Sequence, residues 1–318
     1  MVSGKTSGRG KLQVASQLPQ GFNTLMNGRA PGVTFVPLAS GAFEAVPAGV
    51  RVLIPSPVDA DPTPPMGWPF DVEWVHLIST GWDSYPEWML SAPKVTYSPG
   101  VSGVSLAEFS LAAIFAAAKR LPELWIDTAD KWTRSSVSLV TGSKLGIVGF
   151  GEIGQALAKR ALALGMKVQA LRRSAQPLPR NVERAASLTE LFAANDHVVL
   201  TAPGTPETFH MVNRELLAAA KPGLHIINVG RGTLIDNDAL VEALDSGKIG
   251  RATLDVTEPE PLPAGHRFYT HPQIYLTPHT GSFDRGAGDR IAAIFAGNVR
   301  RFLRDKPMLN IVDRARGY

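Results

Sequence analysis

Residues Lys144 to Gly154, KLGIVGFGEIG, constrain what this chain can fold into more than any other stretch. A short apolar run, Leu145 to Val148, ends in Gly149-Phe150-Gly151, and a third glycine follows at Gly154. Each glycine of this G-x-G-x-x-G has its own task. The first permits a tight turn, the second lets backbone approach a pyrophosphate, and the third lets helix and strand pack closely. A helix that starts there aims free N–H groups and a partial positive charge at phosphates. Glycine-rich turns are common, so the flanks matter. An alanine-rich helix is expected from Ile153 to Leu164, with Gly165 as its stop, and a second strand from Lys167 to Leu171. The stretch therefore reads as strand, phosphate-binding turn and helix.

The rest of the chain supports an α/β reading. At 318 residues it has room for about two domains. Beyond Leu145, strand candidates (His197 to Thr201, His225 to Val229, Ala252 to Asp255, Ile274 to Leu276) alternate with helix candidates (Leu188 to Ala194, Arg214 to Ala220, Asn237 to Ser246). Such alternation predicts a parallel sheet with helices on both faces. Before it, residues 1 to 100 offer short strands near Leu12, Val33, Val50, Trp74 and Val95, with helical patterns poor apart from Tyr85 to Leu90. Pro55 to Pro69 is expected to be loop. Ser105 to Leu121 predicts a buried helix with Ser105 and Glu108 as a capping box. Trp125 and Trp132 follow as expected packing anchors, and a long helix over Asp284 to Asp305 closes the pattern.

Composition excludes several classes. The 32 basic and 28 acidic residues leave a small, scattered +4, which does not by itself argue for nucleic acid. The absence of cysteine excludes disulfides, thiolate metal sites and thiol catalysis, and suits a reducing compartment. No metal site is expected, and no run is long enough to cross a membrane. The polar, basic start MVSGKTSGRGK lacks the apolar centre of a secretory signal; with Glu44 as the first acid, a short transit peptide is the alternative to a cytoplasmic default.

The second strand speaks to the cofactor. NAD-binding folds place an Asp or Glu about 20 residues past the first glycine, on the ribose hydroxyls. Here Arg172, Arg173 and Ser174 occupy that window, and no acid lies between Glu152 and Glu183. A guanidinium matches phosphate oxygens, so NADP(H) is predicted, with these three residues around its 2′-phosphate. The alternative is a pair of solvated arginines.

Three later segments follow strand ends, where open α/β sheets place ligands. In HIINVGRGTLID, Arg231 stands between two glycines and can clamp a carboxylate. In ATLDVTEPEPLP, Asp255 ends a strand and Glu258 and Glu260 alternate with prolines. In IYLTPHTGS, His279 follows a strand and a proline. Together an arginine, a carboxylate and a histidine make the set that hydride transfer to a 2-oxo acid needs: a carboxylate clamp, a partner that favours imidazolium, and a proton donor. The other six histidines read as structural.

In this order the motifs GFGEIG, INVGRGTLID, LDVTEPEPLP and LTPHTGS closely resemble the D-isomer-specific 2-hydroxyacid dehydrogenase family, and most of all its NADPH-using glyoxylate/hydroxypyruvate reductase branch. The likeness is near-continuous from about Ser79 to Val312 and holds only in outline before that. It implies a Rossmann-type doubly wound parallel sheet, residues 105–283, inserted into a smaller flavodoxin-like α/β substrate domain, residues 1–104 and 284–318. It further implies catalysis in the cleft between the two, and a homodimer formed through the cofactor domain. By the same resemblance Arg231 binds substrate, Glu260 rather than Glu258 partners the histidine, and His279 is the acid/base. Cofactor contacts are implied at Gly149, Gly151, Glu152, Ile153, Gly154, Pro203, Val229, Gly230, Asp255 and Gly281. The loop at Thr80, Gly81 and Trp82 resembles the one that offers backbone N–H groups to the substrate carboxylate. Trp82 departs from the usual small residue; facing the pocket it would favour a small 2-oxo acid such as glyoxylate, and turned away it is packing. Glu260 sets the chain apart from the formate dehydrogenase branch, which carries Gln there, and a phosphoglycerate dehydrogenase would usually prefer NAD. The alternative of another class is a dinucleotide-sensing, corepressor-like binding protein on the same fold.

Overall fold

The computed structural model describes residues 11–56 and 61–314. The basic N-terminal segment, up to residue 10, and residues 57–60 of the proline-rich stretch lie outside them. In order, the chain forms β1 (Leu12–Ser16), α1 (Gln20–Arg29), β2 (Val33–Pro37), β3 (Val52–Ile54), β4 (Trp74–His76), α2 (Glu87–Leu90), β5 (Val95–Thr96) and α3 (Gly103–Lys119). There follow β6 (Lys144–Val148), α4 (Glu152–Ala163), β7 (Lys167–Leu171), β8 (Val182–Arg184), α5 (Leu188–Ala194) and β9 (His197–Leu200). The last elements are α6 (Arg214–Ala219), β10 (Leu224–Asn228), α7 (Asn237–Asp245), β11 (Ile249–Leu254), β12 (Ile274–Leu276) and α8 (Ala287–Phe302).

Contacts divide these elements into two units, Met1–Val101 with Arg285–Tyr318, and Ser102–Asp284. The first unit holds a parallel five-stranded sheet in the order β2-β1-β3-β4-β5, the flavodoxin-like order. Its core joins Val14, Val52 and Trp74 to Phe295 and Phe302 of α8, so the C-terminal helix completes the unit that the N-terminal strands begin. The second unit holds a seven-stranded parallel sheet, β12-β11-β10-β9-β6-β7-β8. Its strand order reverses between β6 and β9, the switch point beside which doubly wound sheets bind ligands. Parallel strands covered on both faces read as unbroken apolar runs, and Val198 to Leu200 and Ile226 to Ile227 are wholly buried.

Several sequence expectations are corrected. Helix α1 was not expected: it buries only Asn23 and Met26, and Gly21 and Gly28 dilute its helical signal. The short strand β8 also escaped notice, because Val182 is its one buried residue. Ser105 does not cap α3. The helix starts at Gly103, and the Ser105 hydroxyl donates instead to the Gly281 carbonyl at 2.7 Å. Trp125 and Trp132 do not anchor packing; they are 72% and 80% exposed. Among the described residues no helix is long and apolar enough to cross a membrane, and no three His, Cys, Asp or Glu side chains cluster to hold a metal.

Candidate active site

The site is built on the larger unit, where β6, β9, β10, β11 and β12 end. After β6, Gly149 adopts φ +91°, and a Cβ there would meet the Thr201 backbone at 3.0 Å, so only glycine serves. Its N–H donates to the Leu171 carbonyl and its carbonyl accepts from the Thr201 hydroxyl, which ties the turn to the strands on either side. A Cβ on Gly154 would lie 2.5 Å from the Gly149 carbonyl oxygen, so the third glycine lets α4 press on the strand it follows. Around Gly151 an added Cβ would meet nothing within 4 Å. Backbone there is open to a close-lying phosphate, and α4 starts at Glu152 without a side-chain cap. Glu152 is exposed and Ile153 half-buried. This cradle fits a dinucleotide pyrophosphate.

Past β7, Arg172 donates to the Gln176 side chain at 2.7 Å, and Arg184 reaches the Gln176 carbonyl at 2.6 Å. Arg173 lies near Glu207, which its charge helps to hold below the ordinary carboxylate value after the stronger hydrogen bonds from the Thr205 side chain and the Glu207 backbone. Ser174 is exposed. Past β9, the Pro203 carbonyl accepts from Thr208.

At the end of β10 the wholly buried Asn228 holds the arginine turn from inside. Its amide nitrogen donates to the Arg231 carbonyl at 2.8 Å, and its oxygen accepts from Gly230 N–H at 3.1 Å. Val229 is buried and bonds the Leu200 carbonyl. A Cβ on Gly230 would meet the Ala202 carbonyl at 2.7 Å, and one on Gly232 would overlap Thr257 backbone at 2.0 Å. The arginine turn thus lies flush against the loop that carries Glu260. Asn237 closes the same contact by donating to the Glu258 carbonyl at 2.7 Å. Sequence reading missed Asn228; the available signal was a lone amide ending an otherwise apolar strand.

His279 follows β12 in a left-handed conformation, φ +50°, that a non-glycine residue adopts at a cost of about 1–3 kcal/mol. Asp255, 1% exposed, holds it there. The Asp255 carboxylate accepts from the Thr277 hydroxyl at 2.6 Å, Thr280 N–H at 2.9 Å and Gly281 N–H at 3.0 Å, while its carbonyl accepts from His279 N–H at 2.9 Å. These bonds occupy the Asp255 carboxylate with the histidine turn. A Cβ on Gly281 would lie 2.8 Å from Asp255 Oδ2 and press on Leu106 and Phe109 of α3.

His279 Nδ1 lies 2.7 Å from Glu260 Oε1, and both side chains are roughly 40% exposed. The Glu260 hydrogen bond holds the imidazole above its ordinary pKa; partial burial and the nearby Arg231 charge oppose this, and the charges of Glu260 and Asp255 add to it. The structure thus brings His279, Glu260, Asp255 and the Arg231 turn together at adjacent strand ends. The arrangement supplies a histidine whose protonated form is favoured, with Nδ1 taken by Glu260, beside the Arg231 turn.

Thr80, Gly81 and Trp82 belong to the smaller unit. Ser79 pins that loop: its hydroxyl donates to the Gly81 carbonyl and its own carbonyl accepts from Ser98 N–H. Trp82 is 6% exposed, in the apolar core of that unit, edge-on to Tyr97 at 5.0 Å. That burial is in keeping with the packing alternative.

Comparison with known proteins agrees with this geometry. The family described as "D-isomer specific 2-hydroxyacid dehydrogenase, NAD binding domain" matches residues 111–281, more than half of the chain. A glyoxylate reductase of Thermococcus gammatolerans is 35% identical over 220 residues, 65% of this chain and 66% of that protein. The Thermococcus onnurineus glyoxylate reductase is 35% identical over 240 residues, 69% of each chain. Among solved structures, an NADPH-dependent glyoxylate/hydroxypyruvate reductase from Sinorhizobium meliloti, in complex with NADP and sulfate, superposes with TM-score 0.81 at 26% identity, over 97% of this chain and 100% of that one. With the glycine cradle, the bracketed histidine and these likenesses in hand, the chain belongs to the D-isomer-specific 2-hydroxyacid dehydrogenase family.

Proposed function

We propose that this protein is an NADP(H)-dependent reductase of small 2-oxo acids, acting on glyoxylate or hydroxypyruvate. The 2.7 Å pairing of His279 with Glu260, beside the Arg231 turn, carries the reading. When bound, the nicotinamide supplies a hydride to the substrate's carbonyl carbon. Arg231 holds the substrate carboxylate by paired, charge-assisted hydrogen bonds and draws electron density from the adjacent carbonyl. Glu260 occupies His279 Nδ1, so Nε2 gives its proton to the carbonyl oxygen as the alcohol forms. Asp255 and Asn228 keep the two cationic groups in place. The corepressor-like alternative leaves this pair without a task.

NADP(H) is favoured because the loop after β7 offers Arg172, Arg173 and Ser174 and no acid. Homodimerisation through the cofactor unit is supported by exposed apolar side chains on α3 and the segment after it: Val104, Trp125, Ile126, Trp132 and Leu139. Light scattering should then give twice the chain mass, and a monomer at micromolar concentration would reject the dimer. Oxidation of NADPH and of NADH, each with glyoxylate, hydroxypyruvate and phenylpyruvate, tests the activity. Turnover with the two small acids and a kcat/KM in favour of NADPH are expected. Silence across a broad 2-oxo acid panel would overturn the activity, and a preference for NADH would overturn only the cofactor.

A further inference from the structure

The arginines that follow β7 have a neighbour on another strand. β8 is the edge strand of the seven-stranded sheet, and its parallel register with β7 sets Arg184 beside Ala170 and Glu183 beside Gln169. Successive residues of a strand face opposite sides of the sheet, so the arginine and the acid of β8 are held apart. Arg184 reaches the loop that joins the two strands, and there it meets Arg172 across one residue. Arg172 donates to the Gln176 side-chain oxygen at 2.7 Å, and Arg184 donates to the Gln176 carbonyl at 2.6 Å.

Neither guanidinium has a carboxylate partner among the described residues. Other exposed arginines of this chain do find one: Arg29 pairs with Asp289, Arg214 with Glu242, Arg267 with Asp245 and Arg314 with Glu87. Arg173 has the Glu207 charge nearby. The oxygens of Gln176 are neutral, so they hold Arg172 and Arg184 close together without cancelling either charge. Two like charges kept side by side repel each other, and an anion between them relieves that repulsion. Arg184 is exposed and Arg172 half-buried, so a ligand can reach both. Guanidinium nitrogens only donate, and their planar fork matches phosphate oxygens.

The position of the pair says which phosphate. The Leu171 carbonyl, immediately before Arg172, accepts from Gly149 N–H at 2.8 Å, so the pair stands next to the glycine turn. In dinucleotide folds the end of this second strand meets the adenosine ribose, whose 2′ position carries the extra phosphate of NADP. We propose that Arg184 is a specificity-determining residue for the cofactor, gripping the ribose 2′-phosphate together with Arg172. This rests on the NADP(H) reading above and adds a residue from outside the window that follows β7.

Calorimetric titration of the full chain with 2′,5′-ADP and with 5′-AMP reads the phosphate contact without turnover. The wild-type protein should bind 2′,5′-ADP more tightly. Arg184→Met should weaken 2′,5′-ADP about tenfold or more, the effect of a lost charge-assisted hydrogen bond, and leave 5′-AMP within about twofold. Lys167→Met, which removes one exposed charge at the start of β7, should leave the binding of both nucleotides unchanged. Thermal melting confirms that each variant is folded, and Arg184→Gln decides if Arg184→Met is not. If the wild type prefers 2′,5′-ADP and the preference survives the loss of Arg184, the proposal is overturned and the NADP(H) reading stands. Equal weakening of both nucleotides by Arg184→Met also overturns it, as does an equal loss of 2′,5′-ADP binding in Lys167→Met, which would mark a general charge effect. If the wild type binds the two nucleotides alike, the NADP(H) reading itself fails and takes the proposal with it.

Discussion

At the carboxyl end of the larger sheet His279 faces a carboxylate; at the amino end His197 faces another histidine. The side chains are the same and the outcomes are opposite. Glu260 accepts from His279, whose side chain is 43% exposed, so the imidazolium is favoured and the pKa rises. Burial without a carboxylate bond pushes His197 down to about 4 despite the nearby Asp196 charge, and pushes His225 well below its usual value. One sheet therefore holds a histidine whose charged form is favoured and a histidine pair whose charged form is opposed. The hydrogen-bonding partner and the degree of burial, not the residue type, decide which is which.

The largest effect that can break this contrast is His279→Ala. It should lower kcat for 2-oxo acid reduction by about 10²–10⁴-fold, the usual worth of a positioned general acid. His197→Gln should leave the same kcat within about twofold, since that ring lies at the other strand ends. Equal losses in the two variants would mean that neither histidine is the acid.

A smaller effect sharpens the comparison. Glu260→Gln keeps an oxygen that can accept from Nδ1–H but removes the charge of the partner that does most to raise the His279 pKa. A raised pKa keeps the histidine protonated, and reduction active, up to a higher pH; activity then fades as pH rises through it. With glutamine the alkaline limb of kcat/KM should move to lower pH, and turnover at alkaline pH should fall about tenfold as a charge-assisted hydrogen bond becomes a neutral one. An unmoved limb would show that some other group sets it.

How much of this was legible in the sequence depends on what each residue does. The glycine turn was readable because backbone geometry at Gly149 and Gly154 admits no other residue, and geometry of that kind leaves a fixed spacing. His279, Glu260 and Arg231 were readable as a set following successive strands. The supports were not. Asp255 bonds a turn that begins 22 residues further along, and Asn228 acts through backbone groups, so neither task shows in local pattern. Trp125 and Trp132 misled because an aromatic side chain raises the expectation of burial, whereas both lie exposed. The cluster of His197, His225 and Arg251 was passed over because three polar residues on three strands become neighbours only once the register is fixed.

The smallest effect tests the neutral end through stability. His197 and His225 are held neutral by burial, whereas in the unfolded chain they protonate near 6.5. For a base with a depressed folded pKa the unfolded state takes up more protons below 6.5, so stability is whole above that pH and declines as pH falls toward about 4. His76, buried in the smaller unit and pushed down to about 3, acts in the same direction. Asp196, whose pKa is lowered, by Lys221 foremost among its partners, loses its contribution only at still lower pH, so the window between 6.5 and about 4 belongs chiefly to the histidines. Thermal melting across it should show Tm falling by several degrees, at about 2–4 °C per kcal/mol for a domain of this size. In His197→Gln that fall should be shallower, because glutamine takes no proton, while the pH profile of catalysis stays where His279 and Glu260 put it. If His197→Gln melts with the wild-type pH dependence, His197 is already protonated in the folded state, and the two ends of the sheet are not the opposites described here.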